Sequence, residues 1–394
     1  MLNVGTQNNM ETSLFNDSFL VSNISHMDNL IDDVDNSSHS GNNEMKEKLQ
    51  ALQSIFFFIQ YFILPFFLVT GFFGNMLTIA TMASRRFQHL TSRYILIFLA
   101  ISDTVLLLLQ PFNKLWVIKL FGGIDLRALS TSACKVFFVI FRSAKMTSSW
   151  LVVMLCFERF VAVVFPLKAK TILRKRFIFP AIAADYIFMF IYNGIWSFSS
   201  GIVDGKCKPD LPSTAHSIFV ILGCSFYSFI PTCLLLIFTP MIITRLIKQR
   251  NIRLQLSRAA SGLKKKNPWG ALANNHSKND DEMLRASVMV LGVMIAYIVL
   301  IIPITTVHVY SFLIGVSAFD VNSYGFFVYR EIAQMLEQIN YAVNFFFYIL
   351  CSRTFRERVK EFFWFDKCTR GSDGVSSSSG SPGTKNTVSN TQST

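Results

Sequence analysis

The sequence predicts an all-α membrane protein, a bundle of seven transmembrane helices followed by a short amphipathic helix. Three observations predict it. Hydrophobic residues make up 52% of the 394 residues and charged residues 15%, with 40 Phe, a balance suited to a chain surrounded by lipid. Apolar stretches long enough to cross a bilayer core of about 30 Å recur near 54–83, 93–118, 132–165, 177–200, 214–244, 285–313 and 326–351. Lys and Arg concentrate in alternate connections between those stretches. The spans should be helices, because lipid supplies no partners for unpaired backbone groups.

Taken in order, residues 1–50 are polar and acidic (Glu11, Asp17, Asp28, Asp32, Asp33, Asp35, Glu44, Glu47) with few aromatics, and are expected to be disordered. Asn16, Asn23 and Asn36 each stand two residues before a Ser, three acceptors for N-glycosylation. The opening residues lack the apolar core of a signal peptide, so the first span is expected to direct its own insertion. One set of connections carries Arg85, Arg86 and Arg93, then Lys168, Lys170, Arg174, Lys175 and Arg176, then the long third connection from Arg245 to Arg285. The opposite set has only Lys46, Lys48, Lys119, Arg127, Lys206, Lys208 and Arg330. The positive-inside tendency makes the first set cytoplasmic and the N-terminus external. The net charge of +13 is then a property of the cytoplasmic face and no argument for nucleic-acid binding. The expected organisation is an external glycosylated segment 1–50, a bundle 51–352, an amphipathic helix 353–368, and a Ser-, Gly- and Thr-rich cytoplasmic tail 369–394.

Cys156, Cys224, Cys233 and Cys351 lie inside spans and read as small packed residues. Cys134 opens the third span on the external side and Cys207 lies in the external loop 200–213, so the two can bridge in an oxidising compartment. Cys368 follows the basic-aromatic stretch at the inner face, where palmitoylation is expected against the alternative of a bare thiol. Asp103 is an intramembrane carboxylate and marks a functional site by default. At about 1.5 Å per residue, Lys145 lies about 21 Å above Arg159 on the third helix, and Arg142 about 25 Å above it. Steps of seven from Arg159 place Lys145 on the inward stripe. The same step from Asn344 turns Glu337 inward on the seventh helix.

These features together resemble the rhodopsin-like G-protein-coupled receptors over about residues 50–368. The resemblance rests on Gly74-Asn75, on LAISD ending at Asp103, and on Trp116 with Phe121-Gly122. It rests further on the Cys134-to-Arg159 spacing, on Glu158-Arg159-Phe160 with its following AVVFPL, and on Pro231 and Pro303. NFFFY from Asn344 to Tyr348 and Phe355 complete it. The chain departs from the pattern where Leu300-Ile301-Ile302-Pro303 lacks the usual Cys-Trp pair, where Tyr297 replaces Phe, where the fourth span lacks its Trp, and where Thr239 replaces Tyr. The NFFFY ending and the Phe-rich spans look most like invertebrate neuropeptide receptors, including those for FMRFamide-like peptides.

The resemblance implies a multi-pass plasma-membrane receptor, not an enzyme, with heterotrimeric G protein and arrestin as partners and membrane lipid around it. Glu158, Arg159, Phe160, Asn344 and Tyr348 would form the coupling switch. In that switch the matching Arg pairs with its acid until a G protein takes it over; the alternative is a snorkelling pair that fixes helix depth. Asp103, Ser148, Asn340 and Asn344 would line an allosteric sodium pocket near Asn75, or a protonated Asp103 would simply be hydrogen-bonded there. No other cofactor is implied. Phe141 stands where amine receptors place an Asp and Gln338 where visual pigments place a Lys, which argues against both ligand types. Lys114, Arg142, Lys145, His308, Glu331, Gln334 and Glu337 are the expected wall of an outward cavity suited to a short charged peptide; Lys145 and Glu337 could instead neutralise each other. A seven-span channel or transporter is the competing reading. The sequence shows no internal repeat for a transporter, and the charge bias opposes an internal N-terminus.

Overall fold

The computed structural model describes residues 51, 54–55, 58–88, 90–113, 125–197, 200–203, 206–209, 213–262, 270–314 and 324–370. They form an all-α bundle. Its spans are α1 (Leu64–Ala83), α2 (Ser92–Leu109), α3 (Thr131–Val164), α4 (Lys175–Ser197), α5 (Ile230–Gly262, entered through a helix Ser213–Cys224), α6 (Gly270–Ile314) and α7 (Tyr324–Cys351), with α8 (Arg353–Arg370) beyond them. α1 packs on α2, α2 on α3, α3 on α4, α5 on α6 and α6 on α7, and α7 closes the ring against α1. α3 touches α2, α4, α5 and α6 and is the central post.

Local chemistry sets the boundaries. Ser130 caps α3, its hydroxyl accepting from the Ala133 N–H at 3.0 Å. Pro166 ends α3: the residue before a proline is pushed out of the helical region, and Phe165 sits at φ −124°. Ser352 caps α8 in the same way, accepting from the Phe355 N–H at 3.2 Å. Two prolines have a second effect. A proline removes the N–H that would serve the carbonyl four residues back, and one turn before Pro65 and before Pro231 the helix widens into a π turn, Ile59–Ile63 and Ser225–Phe229. There Leu64 and Ile230 donate to the carbonyls of Ile59 and Ser225, five residues back.

Close approach of α1 to α7 depends on glycine. A Cβ on Gly71 would stand 2.6 Å from the Ala342 Cβ, and one on Gly74 would stand 2.8 Å from the Phe345 Cβ. The main apolar core runs along the bundle, with Leu99, Leu151, Leu235, Met294 and Tyr348 among its buried members.

One expectation needs correction, and two elements were not foreseen. Six of the described helices are long and apolar enough to cross a membrane, and α7 is not among them. The stretch 326–351 read as apolar is amphipathic, because Glu337, Asn340 and Asn344 are buried among α7's helical neighbours instead of facing lipid. The long third connection is largely helical, α5 running to Gly262 and α6 starting at Gly270. The external loop 200–213 contains an antiparallel hairpin that the sequence did not suggest, β1 (Ser200–Val203) with β2 (Lys206–Pro209), Ile202 opposite Cys207. The expected bridge joins Cys207 of β2 to Cys134 of α3, with Cα atoms 5.6 Å apart.

Candidate functional site

The polar side chains that the bundle buries gather at three depths. At the C-terminal end of α3, Arg159 Nε lies 2.8 Å from Glu158 Oε2, and both residues are buried. A buried charge pair needs its remaining valences met. The start of α2 meets them: Thr91 Oγ1 donates to Glu158 Oε1 at 2.9 Å, and Arg159 Nη2 donates to Ser92 Oγ. Sequence reasoning found the pair and missed these two hydroxyls. Phe160 is half-buried, its ring 5.0 Å from Phe238 on α5 and 5.9 Å from Phe165. Tyr348 at the end of α7 is buried against the Phe355 ring of α8 at 5.6 Å. Arg86 between α1 and α2 ties α8 down through Glu357 and Glu361, each at 2.9 Å. Hydrogen bonding to Arg358, with Arg86 behind it, holds the Glu361 carboxyl below the usual carboxylate range.

Halfway along the bundle, Asp103 is fully buried and both its oxygens are taken. Ser148 Oγ donates to Oδ1 at 2.6 Å and Asn344 Nδ2 to Oδ2 at 2.7 Å. Asn340 is buried four residues earlier on α7. Asn75 donates to the Tyr341 carbonyl at 3.2 Å, while its own Oδ1 is buried with no hydrogen-bond partner among the described residues. A carboxylate, a hydroxyl and a spare amide oxygen are the hard donors that a sodium ion takes, so the residues present fit that ion.

Towards the N-terminal end of α3, Lys145 Nζ lies 2.7 Å from Glu337 Oε1, joining α3 to α7. Tyr227, in the π turn ahead of α5, donates its hydroxyl to the same carboxylate oxygen and meets the Tyr341 hydroxyl at 3.2 Å. Lys145 also stands 4.4 Å from the centre of the Tyr227 ring. The Lys145 side chain keeps 22% of its surface exposed and Glu337 keeps 7%, so the ammonium is the accessible member. His308 on α6 meets Ser228 Oγ at 3.0 Å. Arg142 lies between the rings of Phe138 and Trp196, at 4.8 and 5.2 Å. Glu331 is held by its own neighbour Arg330 at 2.8 Å, and Gln334 is half-buried on the same helix.

The structure therefore brings together Lys145 with Glu337, Asp103 with Ser148 and Asn344, and Glu158 with Arg159. His308 stands beside the first of these groups, its ring 6.3 Å from that of Tyr227. Lys114, Asn16, Asn23 and Asn36 lie outside the described residues, as does the side chain of Cys368. Tyr227 is the functional candidate that sequence reasoning missed. Its only signal was the nearby Pro231, which marks a disturbed helix without giving the direction of the side chain.

The arrangement has the parts of a transmembrane signalling device: charge reachable from one side, a buried polar centre, and a charge pair at the opposite end. Comparison with known families agrees. The family model of the rhodopsin-family seven-transmembrane receptors matches residues 74–348, most of the chain. A search of curated proteins found no match. With this match, the ring of seven helices and the Cys134–Cys207 bridge in place, the chain belongs to the rhodopsin family of seven-transmembrane receptors.

Proposed function

We propose that this receptor sits in the plasma membrane with its N-terminus outside, binds a short charged peptide of the invertebrate neuropeptide type, and activates a heterotrimeric G protein. The Lys145–Glu337 ion pair in the outer half of the bundle carries the reading. A cation and an anion 2.7 Å apart, one of them accessible, offer a ligand two opposite charges to exchange with. Such an exchange costs less than exposing either charge alone. A crevice formed by α1, the end of α2 and α7, lined by Leu64, Phe67, Leu107, Pro111, Gln110 and Gln338, would suit an apolar side chain.

At the inner end, Arg159 would leave Glu158 and Ser92 for the G protein, and arrestin would compete for the same face. Sodium belongs to the same reading: Asp103, Ser148 and Asn344, with Asn340 one turn before Asn344 and Asn75 bonded to the Tyr341 carbonyl, would hold it. The ion would supply a positive charge that neutralises Asp103.

A library of amidated neuropeptides, screened for nucleotide exchange on G protein, tests the proposal. One peptide should activate the wild type, and Arg159→Ala should keep its binding while losing exchange. Normal exchange by Arg159→Ala, or a ligand-evoked current that survives G-protein blockade, overturns the reading.

A further inference from the structure

Three consecutive residues of one π turn reach three different helices. The Phe226 carbonyl accepts from Trp150 Nε1 of α3 at 2.9 Å. Tyr227 donates to Glu337 and meets Tyr341, both on α7. Ser228 meets His308 of α6 at 3.0 Å. Ordinary helical geometry explains why this is unusual. Successive α-helical residues point about 100° apart, and each carbonyl is served by the N–H four residues on.

In this turn the Ile230 N–H is taken by Ser225, five residues back. The Phe226 carbonyl thus loses its α-helical donor. Its π-helical donor would be residue 231, which is a proline and has no N–H. Trp150 supplies what the backbone lacks. Return to α register would give Ile230 N–H back to Phe226, expel Trp150, and turn the Tyr227 side chain away from Glu337. Pro231 thus orphans one carbonyl in either register, that of Phe226 in the π turn and that of Tyr227 in the α register; only the first has a donor at hand in Trp150, and side chains of α3 and α7 hold the turn in that arrangement.

The other end of α5 lies against the inner switch. Phe238 packs at 5.0 Å on Phe160, beside Arg159, and Gln249 Nε2 donates to the Val163 carbonyl at 3.2 Å. A change of register moves the chain by roughly 1.5 Å per residue and rotates the rest of the helix.

We infer that Tyr227 is the positioning residue through which occupation of the Lys145–Glu337 site acts on α5: a ligand cation that takes Glu337 releases Tyr227 and lets the π turn relax. This rests on the peptide-receptor reading for the ligand, though not for the device itself. It supplies this chain with a route to the inner face that does not need the aromatic residue missing before Pro303. Tyr227 acts by holding a backbone register, and Glu337 is the group that ligand and tyrosine compete for.

The test needs no ligand. Spin labels at Lys168, in the short helix Pro166–Ile172 that follows α3, and at Lys248 on α5, both exposed, report the distance between that helix and α5 in full-length receptor in nanodiscs. Basal nucleotide exchange on added G protein is read in parallel. Tyr227→Phe keeps the ring and removes the hydroxyl; Trp150→Phe frees the Phe226 carbonyl by a different route. Each should shift the ligand-free distance distribution. Each should also raise basal exchange about tenfold, the ratio expected when a hydrogen bond to a charged or otherwise orphaned group is lost. The double variant should add little to either, since both release one element. An unshifted distance distribution in folded Tyr227→Phe overturns the inference; if that variant does not fold, Trp150→Phe decides it by the same criterion. A shifted distribution with no exchange by any form, wild type included, upholds the device and removes the G-protein reading instead.

Discussion

Reversing the ion pair, Lys145→Glu with Glu337→Lys, separates what the two charges do for the protein from what they do for its ligand. Removing Lys145 alone leaves a carboxylate that is 7% exposed with only Tyr227 hydrogen-bonded to it, at a cost of about 3–5 kcal/mol. Removing Glu337 alone leaves an ammonium that is 22% exposed, and its long stem lets it tilt towards water, so the cost falls to about 1–3 kcal/mol. Lys145→Met should therefore melt lower than Glu337→Gln. The reversal restores the Coulomb attraction and loses two things. Tyr227 no longer donates to a carboxylate at position 337, and no cation at position 145 faces the Tyr227 ring. Those losses amount to about 2 kcal/mol together. The reversed receptor should melt above Lys145→Met and below wild type, in a thermal unfolding assay on solubilised protein. Its peptide potency should stay low, because the ligand meets the opposite field. A reversed receptor no more stable than Lys145→Met would refute the mutual pairing, and one with wild-type potency would refute charge recognition at this site.

The helix packing and the bridge give two further expected outcomes. Gly71→Ala forces a Cβ to within 2.6 Å of the Ala342 Cβ and 2.8 Å of its Cα, so α1 must back away from α7 at a cost of about 1–3 kcal/mol. Gly194→Ala on α4, where a Cβ would meet nothing within 4 Å, should gain about 0.4–1 kcal/mol from the unfolded chain; equal melting temperatures for the two variants would exclude the tight α1–α7 contact. Cys207→Ser releases the β1–β2 hairpin from the top of α3 and should sharply lower surface expression or peptide affinity, and normal values for both would show that the hairpin does not need its tether.

The bundle was legible because lipid narrows the alternatives: an apolar run of sufficient length has to be a helix. Charge placement and helical steps then located Asp103, Lys145, Glu337 and Arg159. Seven-residue steps found Lys145 and Glu337 because α3 and α7 have no π turn between the counted residues. The same counting fails for Tyr227, since the π turn Ser225–Phe229 breaks the phase on which it depends. Thr91 and Ser92 escaped for another reason. They begin α2, 67 residues from their partners Glu158 and Arg159, and nothing local in an ordinary Thr-Ser sequence announces so distant a contact. The hairpin was hidden because its strands are four residues each, too short for alternation to register. The seventh span was misjudged in composition alone, since its polar groups are tolerable only in company.

That last property bears on how the protein is made. Six spans are greasy enough to enter a bilayer by themselves, and the seventh carries acids and amides that a bare lipid environment penalises by about 2.5–3.5 kcal/mol for each charge near the centre. It emerges from the ribosome after the other six. By then Asp103 stands ready for Asn344, Lys145 for Glu337, and the notch at Gly71 for Ala342. The final helix fits a slot built by the earlier ones, so its acids and amides find partners only where those helices have packed correctly.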